Sequence, residues 1–383
     1  MKLMHLSDLH LGKRIYEANF IEEQEYILEE IKIIIQNESV EGILIAGDIY
    51  DKAVPPVEAI RLFDSFLTFC AGRGLPLCII SGNHDSAERI SFASDVLVKQ
   101  EIYFSPVYDG NVRCVTLKDG YGEICIHMLP FLKPAHVKHI YPEAEVENYE
   151  QAIRVVLAHM KVDLEKRNVL MLHQFVAGAE TCESEELLIG GLEQIPASLF
   201  GDFDYVALGH LHGPQQIGRE TVRYCGTPLK YSFSEAAHQK SVSIVEFAEK
   251  GAVAVRTVPL VPLHDMRCMK GSYLKLTARE TYRGTAVKDY LQITLTDEED
   301  IPDAIGKLRA VYPNVLKLTY DNTRTRNQAM TSEISEEQVQ KRTPLEFLEE
   351  LYRLQNHREM SEQQKHYSEA LFEKIWEESD EAK

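Results

Sequence analysis

The chain has 383 residues, 44% hydrophobic and 26% charged, with a formal net charge of −19 at pH 7. That length points to about two domains plus extensions, on a prior of roughly 100 to 200 residues each, and the apolar share excludes a disordered protein. The acidic balance excludes a protein that grips nucleic acid through bulk positive charge, so any such role must rest on local patches, metal ions or a partner.

The opening run MKLMHLSDLHLGK is broken by His5, Asp8 and His10 before it reaches signal-peptide length. No later segment approaches the ~18 uninterrupted apolar residues of a membrane span. The seven cysteines are scattered and nowhere form a C-x-x-C pair. They read as reduced structural thiols, and the chain as a cytoplasmic protein without a membrane partner.

Over the first 230 residues short apolar runs alternate with helical patterns. KLMHL (2–6) reads as a strand, and EEQEYILEEIKIIIQN (22–37) as a helix with Tyr26, Ile27, Ile31 and Ile34 mostly three or four apart. EGILIAG (41–47) reads as a strand, VEAIRLFDSFLTFCAGRG (57–74) as a helix and LPLCII (75–80) as a strand. Further strands are expected at 123–129, 168–173 and 205–210, which makes the fold class α/β with a layered central sheet. From about residue 271 a strand, helix, strand unit follows, with DYLQITLTD (289–297), a helix from near Asp300 and VLKLTYD (315–321).

A polar stretch at 322–342 fits a linker. Two helix starts with capping boxes come next, Thr343 with Glu346 and Ser361 with Gln364, the first with Pro344 at its first helical position. Leu345, Leu348, Leu351, Tyr352 and Leu354 stripe the first helix, and Tyr367, Leu371, Ile375 and Trp376 the second. The expected division is 1–270, a small domain at 271–321, the linker, and a helical tail at 343–383.

Each candidate strand end in the first domain carries metal-competent groups. LSDLHLG offers Asp8 and His10, AGDIYD offers Asp48 and Asp51, and SGNHDS offers Asn83, His84 and Asp85. LMLHQF adds His173, and LGHLH adds His210 and His212. Ligands of open α/β sheets bind at the carboxyl ends of strands, so these distant residues are expected to converge. D-x-H and H-x-H set two ligands on a similar heading, and the glycines at 47, 82 and 209 allow close approach. Taken singly each motif is commonplace; five in order, each closing a strand, are not.

This order, D-x-H, G-D-x-x-D, G-N-H-[DE], a lone His, then G-H-x-H, resembles the calcineurin-like metallophosphoesterases. The resemblance implies a layered core of two central sheets flanked by helices. It also implies two divalent ions, one held by Asp8, His10, Asp48 and His212, the other by Asp48, Asn83, His173 and His210, with Asp48 shared. It leaves His84 as the catalytic group facing the phosphate, with Asp51 its expected partner. Asp85 reads as a brace for its turn, accepting backbone hydrogen bonds. Two ions ~3.5–4 Å apart suit in-line phosphoester hydrolysis, and the carboxylate, imidazole and amide mixture suits manganese, iron or zinc better than calcium.

Lys52 and Ala53 follow Asp51, where phosphoprotein phosphatases of this superfamily carry an Arg-Gly pair, and Asp85 closes the third motif where they carry Glu. HLSDLHLGK, GDIYDKAVPP, SGNHDS and GTPLKYSFSE (226–235) instead resemble the SbcD family of nuclease subunits. That likeness implies a manganese nuclease of DNA repair, recombination and replication, an exonuclease on double-stranded ends and an endonuclease on single strands and hairpins. It implies that 271–321 caps the site, that the tail docks on an SbcC-type ATPase that uses the ATP, and that the assembly is a homodimer within a heterotetramer, associated with the nucleoid. Lys13 and Arg14, beside the first motif, are the candidate DNA contacts. The rival readings are a freestanding phosphodiesterase or phosphatase for small substrates, and a non-catalytic adaptor for the ATPase.

Overall fold

The computed structural model describes residues 1–183, 185, 194–326, 345, 348–349, 352–353, 359–368 and 371. In chain order the strands are β1 (Lys2–Leu6), β2 (Arg14–Ile15), β3 (Ala18–Asn19), β4 (Gly42–Ala46), β5 (Leu77–Ile80), β6 (Ile102–Phe104), β7 (Arg113–Asp119), β8 (Gly122–Leu129) and β9 (Arg167–His173). They continue as β10 (Tyr205–Gly209), β11 (Gln215–Ile217), β12 (Arg219–Tyr224), β13 (Ser241–Phe247), β14 (Val253–Pro259), β15 (Met266–Gly271), β16 (Tyr290–Leu295) and β17 (Val315–Tyr320). The two longest described helices are α1 (Ile21–Asn37) and α2 (Val57–Ala71).

Two six-stranded sheets form the core, ordered β14-β13-β1-β4-β5-β6 and β11-β12-β10-β9-β8-β7. Strands β1, β4, β5 and β6 run parallel, as do β8, β9, β10 and β12; antiparallel strands close both edges of the second sheet and the β14 edge of the first, whose other edge is the parallel strand β6. All residues of β4, β5, β9 and β10 are buried, which is why their sequences are continuous apolar runs without alternation. Their side chains nevertheless alternate in destination. Leu44, Ala46, Cys78 and Ile80 join Ile124, Ile126, Met128, Val169, Met171 and Ala207 between the sheets. Ile43, Ile45, Leu77 and Ile79 face a second cluster with Ile27, Ile31, Phe63 and Phe66 of α1 and α2. Leu170, Leu172, Val206 and Leu208 face a third, covered by Ile153 and Val156 of the helix Tyr149–His159. The order is therefore helix, sheet, sheet, helix.

The strands and helices expected from sequence over residues 1–321 appear within a few residues of their predicted ends. The buried face of α1 differs. It is Glu23, Gln24, Ile27, Leu28, Ile31, Lys32 and Ile35, and Tyr26 and Ile34 lie half-buried at its margins. Apolar residues at 26, 27, 28, 31, 33, 34 and 35 cover more than half the helix circumference, so spacing alone leaves the rotation open.

Two compact units are distinguished, Met1–Thr294 with Ile301–Thr319, and Leu295–Asp300 with Tyr320–Lys383. In the first, β15, β16 and β17 form a three-stranded sheet, and Tyr290 at the head of β16 stacks on Phe20 with centroids 4.7 Å apart. In the second, Arg324 grips Asp300 through two nitrogens at 2.8 and 2.9 Å. The Ser361 capping box forms in both directions: the Ser361 amide donates to Gln364 Oε1 at 2.9 Å, and the Gln364 amide to Ser361 Oγ at 3.3 Å. The Thr343 box, most of the linker, and Leu351, Leu354, Ile375 and Trp376 lie outside the described residues. Among the described residues no helix is long and apolar enough to cross a membrane, and all seven cysteines are free thiols.

Candidate metal centre

The carboxyl ends of β1, β4, β5, β9 and β10 meet at one edge of the two sheets, and the polar residues that follow them converge. His10 Nε2 lies 3.2 Å from His212 Nε2 and 3.7 Å from Asp48 Oδ2. On the other side of the same carboxylate, His173 Nε2 lies 3.4 Å from Asp48 Oδ2. Asn83 Oδ1 sits 3.0 Å from His173 Nε2 and 2.9 Å from His210 Nδ1. Asp8 Oδ1 accepts from the His210 amide at 2.9 Å and lies 4.0 Å from His173 Nδ1. Residues more than two hundred positions apart in sequence thus share one pocket, in two groups joined at Asp48.

The backbone is bent to achieve this. Asp8, His10, Asp48 and His210 all have positive φ, at 53°, 44°, 50° and 103°. Such conformations cost about 1–3 kcal/mol each for non-glycine residues and persist only where the surroundings impose them. A Cβ at Gly82 would overlap Asp48 Oδ1, and one at Gly209 would overlap the Ala46 carbonyl oxygen, so only glycine lets these turns approach so closely.

Burial sets the electrostatics. It raises the Asp8 carboxyl to about 6, with the neighbouring Asp48 charge adding to the rise. Burial lowers His210 to about 3 and His10 well below the usual imidazole range. Burial also opposes charge on Asp48 and His173, but their mutual attraction wins. Asp48 is held below the usual carboxylate range and His173 is raised to about 9. A proton on His173 therefore sits where a cation would neutralise the same carboxylate. His173 Nδ1 donates to the Ala46 carbonyl at 2.8 Å, which fixes the ring and aims Nε2 into the pocket.

The donor set fits a divalent metal. Asp8 Oδ2 and His10 Nδ1 are fully buried without a hydrogen-bond partner, a state that costs about 1–3 kcal/mol per group unless something compensates it. The mix of imidazole, carboxylate and amide oxygen is that of a transition-metal site. The side chains of His10, Asp48 and His84, and of Asp8, Asp48 and His173, come close enough to serve a common ion.

His84 departs from the sequence expectation in one respect. Its Nδ1 meets the Asp51 backbone oxygen at 3.0 Å, not the carboxylate. The Asp51 carboxylate is taken by Lys13 Nζ at 2.7 Å. A carbonyl only accepts, so Nδ1 carries the proton and Nε2 is the free nitrogen. Lys13 is thus engaged within the protein and lies over the Tyr231 ring, 5.8 Å from its centroid. Arg14, the other candidate DNA contact, is exposed and donates to the Glu17 carbonyl at 3.0 Å. Asp85 braces its turn, accepting from the amides of Ile49, Tyr50 and Gly82 at 3.0–3.1 Å.

A supporting layer beneath His212 was not singled out by residue type. The His212 amide donates to Glu185 Oε1 at 2.6 Å, and His212 Nδ1 lies 3.6 Å from Glu235 Oε1. Lys240 Nζ binds Glu235, Thr227 Oγ1 and the His212 carbonyl at 2.5, 2.7 and 2.8 Å. Tyr231 donates to the Leu9 carbonyl at 2.6 Å, and Gln24 donates both to the Tyr231 oxygen and to the His10 carbonyl. Thr227, Tyr231 and Glu235 all belong to GTPLKYSFSE, so the signal was present as a motif without an assigned role. His5, His127 and His159 pair with Tyr205, Asn168 and the Val155 carbonyl, as structural histidines do.

The family model described as calcineurin-like phosphoesterase matches residues 1–214, and the type 5 capsule protein repressor C-terminal domain matches residues 262–356. Two curated relatives, each named as the SbcD subunit of the nuclease SbcCD, are 32% identical over 323 residues, or 83% of this chain. The protein of Staphylococcus epidermidis is covered over 85% of its length and that of Staphylococcus saprophyticus over 84%. Among solved structures, a dimetal phosphatase from Danio rerio aligns at 9% identity over 68% of this chain and 96% of that one, with a TM-score of 0.39, a distant likeness. By the span of its matched core and by its identity to two such subunits along most of its length, the chain belongs to the calcineurin-like phosphoesterases and, within them, to the SbcD family.

Proposed function

We propose that the chain is the nuclease subunit of an SbcC/SbcD-type complex, hydrolysing DNA phosphodiesters at a site for two divalent ions, with manganese the metal used. The observation that carries this reading is the Asp48 carboxylate, whose Oδ2 faces His10 at 3.7 Å and His173 at 3.4 Å, one residue from each group. Asp8, His10, Asp48 and His212 hold one ion; Asp48, Asn83, His173 and His210 hold the other. When bound, such ions supply Lewis acidity, lowering the pKa of water and neutralising phosphoryl oxygens.

The chain's own groups do the rest. Asp48 and Asp8 would balance the charge of the ions, and His173 would serve as a ligand in its neutral form, with Nδ1–H on the Ala46 carbonyl and Nε2 turned to the ion. His84, fixed through Nδ1 by the Asp51 carbonyl, presents Nε2 to the substrate; as the imidazolium, with a second proton on Nε2, it stabilises developing charge and passes that proton to the departing oxygen. Asp51 holds Lys13 close to the pocket.

The substrates are double-stranded ends for exonuclease action, and single strands and hairpins for endonuclease action, in repair, recombination and replication. The SbcC-type ATPase supplies ATP-driven work and holds duplex, which answers the acidic balance of the chain. The segment 271–321 caps the site and the 343–383 tail docks on the ATPase. For the homodimer within a heterotetramer, support comes from large apolar residues left exposed, Val57 and Ile60 on α2 and Phe92 and Val96 beyond β5. The test is cleavage of an end-labelled hairpin duplex with manganese, with and without the ATPase, comparing wild type with His84→Ala. Cleavage lost in the variant is expected; no cleavage by wild type in any combination refutes the reading.

A further inference from the structure

Next to the metal-binding groups lies a cavity of about 680 Å³. Its lining includes Asn83 together with Phe131, Lys133, His136 and His139. The far wall is anchored to the two strand ends that carry Asn83 and His173. The Phe131 amide donates to the Ser81 carbonyl at 2.9 Å, and Gln174 donates to the Leu132 carbonyl at 2.8 Å. The half-buried Phe131 ring stands edge-on to His173, centroids 6.2 Å apart.

In a chain of net charge −19, the stretch PFLKPAHVKHIYP (130–142) holds two lysines and two histidines and no acid. Lys133, His136, Lys138 and His139 are all exposed. Among the described residues neither lysine has an ion-pair partner. Three acids share the lining: Asp85, held by three backbone amides, Glu88, which accepts from the Ser86 hydroxyl at 2.9 Å and interacts with the His136 ring, and Asp109, which accepts from the Asn111 amide at 3.0 Å; none of them is ion-paired with Lys133. A ring in the wall beside a lysine that has no ion-pair partner is the arrangement that holds unpaired nucleic acid, because a base reaches an aromatic face only when it is out of its duplex stack.

We propose that this cavity is the track for a single nucleic-acid strand running from the scissile phosphate, with Phe131 stacking a base and Lys133 taking a backbone phosphate. The inference rests on the nuclease reading above and adds its substrate track. The test compares kcat/KM for a single-stranded oligonucleotide with kcat/KM for bis(p-nitrophenyl) phosphate, in manganese and across a salt series.

Lys133→Glu lowers the ratio of the two efficiencies about tenfold and flattens the log–log salt dependence by about 0.7 for each phosphate no longer neutralised. Phe131→Leu, which keeps an apolar residue against the core, lowers the ratio roughly fivefold or more. Lys161→Glu makes the same charge change at an exposed position before the entry to β9, the end of that strand opposite His173, and keeps the wild-type ratio. Wild-type ratio and salt slope in both Lys133→Glu and Phe131→Leu overturn the track alone. A wild-type enzyme that cleaves the small diester and no oligonucleotide overturns the nuclease reading and the track with it.

Discussion

The ion pair beneath His212 offers a sharp energetic test. Lys240 and Glu235 side chains are 4% and 0% exposed, and their charged atoms lie 2.5 Å apart. Burial raises the Glu235 pKa, but His212 and Lys240 more than offset that and hold it below the usual carboxylate range. Replacing Lys240 by Met keeps the aliphatic stem and takes the lysine cation from a buried carboxylate that retains His212 and the Tyr231 amide, a change that costs about 3–5 kcal/mol. At about 2–4 °C per kcal/mol for a domain of this size, Tm falls about 10 °C at neutral pH.

The pH dependence has a definite sign. In wild type the folded pKa of Glu235 is depressed, so its contribution is present above the unfolded value near 4.5 and lost as pH falls below it. In Lys240→Met only His212 is left to offset burial, so the pKa of the same group rises from its wild-type position, protonation relieves more of the penalty and the gap to wild type narrows as pH drops. Urea and thermal melts at pH 5 and 7.5 measure this, and Glu235→Gln in the Lys240→Met background recovers most of the loss because no charge remains to be stranded. A neutral-pH penalty under 1 kcal/mol, or no recovery in the double variant, refutes the reasoning.

Stripping divalent metal with a chelator lowers Tm, and restoring manganese to about 100 times its Kd returns about 2.7 kcal/mol; calorimetry that detects no manganese binding contradicts the donor set. Gly82→Ala places a methyl against Asp48 Oδ1 and is expected to lower manganese affinity at least tenfold while far-UV circular dichroism stays native; unchanged affinity rules out the steric argument. Asp119 takes Arg167 at 2.5 and 3.0 Å and the Met1 ammonium at 2.6 Å, so Asp119→Ala leaves the buried Arg167 without its counter-ion, held only by the Gly122 and Ala248 carbonyls. A loss of about 3 kcal/mol in denaturant melts is expected, and a loss below 1 kcal/mol counts against it.

The convergence of the candidate ligands was legible because the fold delivers strand ends to one edge, so residues far apart in sequence reveal themselves as polar types closing apolar runs. The pairing of two sheets was not legible from periodicity. Strands such as β4 and β9 are buried on both faces, and that removes the alternation from which a facing layer is inferred. The insertion of β13 antiparallel to β1, between β1 and β14, left no local mark either. At His84 the sequence named the right neighbour and the wrong atom, since spacing cannot distinguish a residue's carboxylate from its carbonyl, and Lys13 claims the carboxylate. The layer of Thr227, Tyr231, Glu235 and Lys240 was hidden because its members touch backbone atoms of the site more than its side chains, and such contacts impose no recognisable spacing.

The left-handed backbone at Asp8, His10, Asp48 and His210 bears on how this protein can change. Glycine at any of these four positions relaxes the local main chain and removes a side chain the centre needs. The same glycine also removes a buried partner, such as the Asp48 carboxylate that holds His173 or the Asp8 oxygen that takes the His210 amide, so what the main chain gains the surrounding contacts lose. A screen for heat resistance that scores folding alone is blind to what such a change does to the centre, so activity has to be assayed at every round.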